Sequence, residues 1–408
     1  MRFAGATGLA LALAAGAAPA IAASECDNFF GQRCLVDLST GVHMSYFDSG
    51  SPSGETLILL HTDTTSAVEW AWTANALLQL NQNLRVIALD QRGAGATDLP
   101  RTERCWSKPN LCITPADLAD DVLAFMDARK IAKATLVGHA MGAGAARLVA
   151  LEHPERVVRL ILSGTGLPRP RQPPTPTSAP APAPTPSRTP MPMPMPTPAA
   201  AAASDEMQPL GWRKMLEAKG VKWPQGALHM RPIDIDPDAV RNITRNWDIS
   251  AIAAPEVVDA IAAQTAAESL ATWGTLDPTP PPPSPPLRLE TLTIPTLVLW
   301  GSEDAGLSRA SQDRLIAVLR QASKNAAGMY FYWKQYGVRP PPASGDKHQA
   351  DDIGHNLSWE APRQLAADID SFVRTGAPTR DLYRTAGPGA VRTIVVVPGA
   401  AVIVSSRP

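Results

Sequence analysis

A chain of 408 residues with 45% hydrophobic content is long enough to bury one large core and carry an accessory region. Its formal net charge is −1, and no basic stripe or block of like charge stands out, which argues against a nucleic-acid partner or an electrostatically held membrane surface. Proline reaches 41 residues, and most of it falls in two tracts that divide the chain.

Residues 1–23 combine Arg2, an apolar Ala/Leu run and Ala20-Ile21-Ala22 ahead of Ser24, the pattern of a secretory signal. The run is too short for a permanent membrane span, which needs about 20 apolar residues. A secreted or periplasmic location is therefore expected, with no membrane association once the signal is removed. The four cysteines, Cys26, Cys34, Cys105 and Cys112, fall into two close pairs. The shortest connectivity is Cys26–Cys34 and Cys105–Cys112, with two other pairings formally open, and an oxidising compartment suits both clues.

Beyond the signal, the residue periodicity alternates between strand and helix. Residues 35–48 read as a hairpin around Ser39-Thr40-Gly41, while Thr56–His61 and Arg85–Asp90 are short apolar runs of the kind found in buried parallel strands. Helical spacing covers 66–81 between them. A helix follows from Pro115 to Arg129 with Thr114 as N-cap, then strand Ala134–Gly138, helix Met141–Glu152 and strand Val157–Ser163. Such alternation predicts a doubly wound, mostly parallel α/β sheet, with its core in 24–166 and 290–375.

The rhythm stops at Gly166. Residues 167–203 are a proline-rich tract with the repeat Met191-Pro192-Met193-Pro194-Met195-Pro196, poor in backbone donors and large apolar side chains, and are expected to be an extended, disordered linker. Residues 204–289 carry helical patterns and Trp212, Trp223, Trp247 and Trp273. Lying between two strands of one sheet, they are expected to form a helical lid, the tryptophans reading first as lid core. Strand Thr296–Trp300, helix Arg309–Ala322, strand Met329–Trp333 and helix Glu360–Arg374 complete the sheet. In the tail, 376–408, Thr393–Val397 and Ala400–Ser405 flank Pro398-Gly399 as an apolar hairpin suited to an exposed sheet edge.

Four separated segments carry the chemical signal. Leu59-Leu60-His61-Thr62-Asp63 ends one strand, and Leu89-Asp90-Gln91-Arg92-Gly93-Ala94-Gly95 follows the next. Gly138-His139-Ala140-Met141-Gly142 joins a strand to a small-residue helix. Leu299-Trp300-Gly301-Ser302-Glu303-Asp304 and Asp352-Ile353-Gly354-His355-Asn356 come last. Together they resemble the α/β-hydrolase fold family, of the secreted serine esterase type, over about residues 35–166 and 290–374. The resemblance implies a nucleophile, acid, histidine order carried by positions 140, 304 and 355. His355 would be the general base and Asp304 would fix its tautomer. The amides of Asp63 and Met141 would form the oxyanion hole. Asp90 and Arg92 read as structural, holding their turn against the elbow, and His61 as a satisfied buried histidine. His348, Asp351, Asp352 and His355 share one loop without ligand spacing, so neither a metal nor another cofactor is expected.

The nucleophile position holds Ala140, whose methyl group cannot attack a carbonyl. Three readings follow: a hydrolytically impaired relative that keeps a pocket for a small ester or acid; a Ser-to-Ala variant of an active carboxylic-ester hydrolase; or an enzyme using His355 and Asp304 as a general base without residue 140. The lid tryptophans and the scarcity of charge favour an apolar or aromatic small-molecule ligand.

Overall fold

The computed structural model describes residues 33–63, 65–102, 105, 112–167, 288–304, 306–325, 331–337, 353–379, 392–397 and 400–405. The signal segment, Cys26, the proline-rich tract, the expected lid and His348, Asp351 and Asp352 lie outside them. Ten strands form one sheet: β1 (Cys34–Asp37), β2 (His43–Gly50), β3 (Glu55–Leu60), β4 (Leu84–Leu89), β5 (Ala134–His139), β6 (Val157–Ser163), β7 (Thr296–Gly301), β8 (Phe331–Tyr336), β9 (Arg392–Val397) and β10 (Ala400–Ser405). Their order is β1-β2-β4-β3-β5-β6-β7-β8-β9-β10. The six strands from β4 to β8 run parallel, and antiparallel pairs close both edges. This is the doubly wound, mostly parallel sheet expected from the alternation.

Successive strand residues bury on opposite faces, which is why the central strands read as continuous apolar runs. Ile58, Leu60 and Leu136 pack beneath helices α2 (Pro115–Ala128), α3 (Met141–Glu152) and α4 (Arg309–Asn325). Leu57, Leu59 and Val137 face α1 (Ala71–Leu80) and the pair α5 (Leu357–Glu360) and α6 (Pro362–Thr375). At the start of α2, Thr114 and Asp117 form a reciprocal capping box, satisfying two amides that the helix cannot.

The tail hairpin lies on the sheet edge, β9 pairing antiparallel with β8 and β10 with β9. Cys105 and Cys112 form a disulfide seven residues apart with Cα atoms 5.1 Å apart. Cys34 is also disulfide-bonded. Among the described residues no helix is long and apolar enough to cross a membrane.

Candidate functional site

The strands β3, β5, β6 and β7 are parallel, so their C-terminal ends share one edge of the sheet, where ligands bind in open α/β folds. Residue 140 sits there between β5 and α3. Its backbone takes φ 46° and ψ −105°, a region that side chains avoid and that costs of order 1–3 kcal/mol. The Ala140 amide donates to the Ser163 carbonyl at 3.0 Å, and its carbonyl accepts from Gly144, so both sides of the elbow are held. Gly142 permits the close approach of α3 to β3: a Cβ there would stand 2.4 Å from the Leu60 carbonyl oxygen. Its amide donates to the His61 carbonyl at 3.1 Å.

His355 and Asp304 come together, Nδ1 to Oδ2 at 2.8 Å, with the two residues only 3% and 8% exposed. The other Asp304 oxygen accepts from the amides of Gly306 and Leu307, each at 2.9 Å. Those two donors leave Oδ2 for the imidazole, so Nδ1 carries its proton toward the carboxylate and Nε2 is the basic nitrogen. Gly301 makes this meeting possible, because a Cβ there would fall 1.9 Å from the Gly354 carbonyl oxygen.

The turn after β3 brings Thr62 and Asp63 to the same edge. The Thr62 amide donates to Glu69 at 3.0 Å and its hydroxyl to the Asp63 carboxylate at 2.9 Å. Thr62 stays out of the left-handed region, so its side chain is accommodated without backbone strain. Met141 opens α3, where its amide has no partner within the helix. The positive end of α3 therefore begins at residue 140.

Sequence reading missed the group that joins these pieces. Glu69, fully buried, accepts from His139 Nδ1 at 2.6 Å, from Thr65 at 2.6 Å, and from the Thr62 amide. His139 Nε2 lies 3.1 Å from the His355 carbonyl oxygen, and the two imidazoles stand 4.7 Å apart. Both nitrogens of His139 face acceptor oxygens. Burial works to raise the Glu69 pKa, but the His139 charge and the hydrogen bonds from His139, Thr65 and Thr62 outweigh it and hold the carboxyl below its ordinary value. One buried carboxylate thus connects the Thr62 turn, the elbow and the His355 loop. His139 was visible in the motif; Glu69, 70 residues away, carried no local signal.

His61 is a satisfied buried histidine. Its Nδ1 donates to the Thr62 carbonyl at 2.5 Å, Nε2 accepts from the Gln91 amide at 3.0 Å, and burial pushes its pKa down. Asp90 and Arg92 are structural, but Arg92 does not brace the elbow. It makes a two-pronged bond to Asp121 on α2, 2.6 Å on each arm, and donates to the Cys112 carbonyl. Asp90 binds Ser45, the Ala67 amide and the Ala96 amide. Arg92 takes this direction because α2 offers the buried carboxylate that its charge requires.

A family model described as alpha/beta hydrolase fold matches residues 55–191. The esterase of Exiguobacterium antarcticum superposes with a TM-score of 0.54 at 17% identity, covering 84% of this chain and 100% of that one. The fold is thus that of the α/β-hydrolases. Among curated sequences, 2-hydroxymuconate semialdehyde hydrolase of Pseudomonas sp. (strain CF600) is 30% identical over 132 residues, 31% of this chain and 42% of the relative. Human epoxide hydrolase 4 is 30% identical over 137 residues, 33% of this chain and 35% of the relative. The chain spans less than half the length of the curated relatives it matches.

Proposed function

We propose that this chain is an exported α/β-hydrolase-fold protein in which residue 140 forms no acyl-enzyme and the site binds a small ester or acid. The observation that carries the reading is Ala140 itself: a strained elbow backbone with a methyl group where a nucleophile would stand. Removing the nucleophile of a serine hydrolase costs about 10⁶ in turnover, so what remains is the pocket and its oxyanion donors, with Asp63 and Met141 in that role. The Cys105–Cys112 disulfide fits the oxidising compartment that the leader implies. The relatives' names cover a semialdehyde, an epoxide and an ester, so the fold does not choose the substrate; the proposed lid at 204–289 does, favouring an apolar or aromatic small molecule.

A second reading is favoured by one specific observation. Asp304 still holds the His355 ring at 2.8 Å, as a general base acting on water or on a substrate C–H or O–H would need. Its signature is turnover by the natural protein that disappears in His355→Ala.

The test is Ala140→Ser. The variant is expected to label with a fluorophosphonate at residue 140 and to hydrolyse small aryl esters faster than the parent, by up to about 10⁶-fold. The parent is expected to show neither, but to be stabilised saturably by a hydrophobic ester or acid. A serine variant that does not label, together with a parent that binds nothing, would end this reading.

A further inference from the structure

Arginines in the described structure are matched wherever burial demands it, with one exception. Arg92 has Asp121, and Arg85 binds Asp48 through two nitrogens at 3.0 and 2.6 Å. Arg147, on α3, has no such partner. Its Nε is sealed from solvent and has no hydrogen-bond partner, and its one side-chain hydrogen bond among the described residues is Nη1 to the Thr165 hydroxyl at 3.5 Å. Among the described residues no carboxylate forms an ion pair with it. Burial without compensation lowers its pKa to about 10, although the residue as a whole remains half-buried and open on one side.

Position gives this cation a use. Arg147 follows Ala140 by seven residues and lies about two turns into the helix that the elbow opens. A long helical side chain points back toward the N-terminus, here toward the elbow. Its contact, Thr165, is fixed in turn by Gln312, whose Nε2 donates to the Thr165 carbonyl at 2.9 Å. The preceding residue, Gly164, lies against the candidate base: a Cβ on it would stand 2.9 Å from His355 Cε1. Arg147 is therefore two residue contacts away from the imidazole, on the edge of the sheet where the elbow sits.

We propose that Arg147 is the anchor for the carboxylate of an acidic ligand, whose other end is directed along the Thr165–Gly164 segment toward His355. The inference rests on the binding reading above and narrows it to acids. A guanidinium presents a planar fork matched to the two oxygens of a carboxylate. A buried cation kept unmatched costs stability, a cost a protein retains where a ligand supplies the counter-charge.

The experiment uses the full-length protein and Arg147→Met, with phenylacetate, uncharged methyl phenylacetate and inorganic phosphate as probes, read by thermal stability and calorimetric titration. Without ligand, Arg147→Met is expected to melt about 2–4 °C higher than the parent, the shift that relief of about 1 kcal/mol produces. The parent is expected to bind phenylacetate at least about tenfold tighter than the ester, a preference lost in Arg147→Met while ester binding persists. A variant that melts several degrees lower would make Arg147 a structural residue and overturn the proposal. Equal binding of acid and ester by the parent would also overturn it, leaving the binding reading intact. Phosphate matching phenylacetate would overturn the carboxylate assignment. Failure of both acid and ester to bind would remove the binding reading and this inference together.

Discussion

Glu69 and His139 show how a single buried pair can set a whole site. The carboxylate is fully buried and reaches the Thr62 amide and the elbow histidine, while the histidine reaches the His355 carbonyl. Removing the charge takes away the buried acceptor that holds His139 at 2.6 Å, and breaking a buried pair from one side costs about 3–5 kcal/mol. Glu69→Gln is expected to lose stability of that size at pH 7, measured by urea unfolding. The pH dependence has a definite sign. Because the folded Glu69 titrates below its ordinary value of 4.5, its stabilisation is complete above that value and is lost as pH falls through the folded pKa. The parent should therefore lose stability more steeply than Glu69→Gln on acidification below about pH 4.5. Parallel acid limbs for the two proteins would show that the pair contributes nothing to stability.

At the scale of elements, the sequence was most legible where periodicity and capping agreed. Thr114 and Pro115 place the start of α2, and α3 and β6 fall on their expected bounds, because each has a sharp chemical boundary. Two departures have different causes, one tertiary and one local. The expected strand Met329–Trp333, whose first two residues lie outside the described ones, continues to Tyr336, since Lys334 and Gln335 look like exposed positions until tertiary partners are known. Lys334 is buried against Asp368 of α6 at 2.7 Å and donates to the Thr379 carbonyl, and Tyr336 donates to the same aspartate. The expected helix Glu360–Arg374 is broken at Ala361, where Pro362 forbids a continuous ladder. Partnerships between distant charges, such as Glu69 with His139 or Arg92 with Asp121, leave no periodic trace at all. Lys334→Met is accordingly expected to cost about 3–5 kcal/mol in urea unfolding, by stranding Asp368. The double variant Lys334→Met/Asp368→Leu should recover part of it, because the unmatched charge is gone while the Thr379 anchor is still lost. A single variant as stable as the parent would show the lysine is replaceable there.

Across the whole molecule, the expected lid enters between β6 and β7, which are already neighbours in the sheet. Both ends of the interruption are fastened to the core. The Leu167 carbonyl accepts from Ser311 and Arg314, the Glu290 carbonyl accepts from Asn325, and the Pro295 carbonyl accepts from the Leu160 amide. Among the described residues, two apolar clusters fill the faces of the sheet. The proposed function gives folding to the core and ligand choice to residues 204–289. Replacing residues 170–286 with a short Gly/Ser linker should leave a cooperative thermal transition, since shortening a connection lowers its closure cost by about 0.6 kcal/mol per halving. The Cys105–Cys112 disulfide and the Asp304–His355 bond belong to the retained part and should survive, the latter visible as a downfield imidazole proton resonance. With ligand choice proposed to lie in 204–289, saturable stabilisation by phenylacetate should vanish although Arg147 keeps its charge. If the shortened protein still binds the acid with the parent's affinity, the pocket is complete within the sheet and the insert has no part in recognition. If it fails to fold, the apolar clusters depend on residues beyond those that line them, and the division of labour between core and insert is wrong.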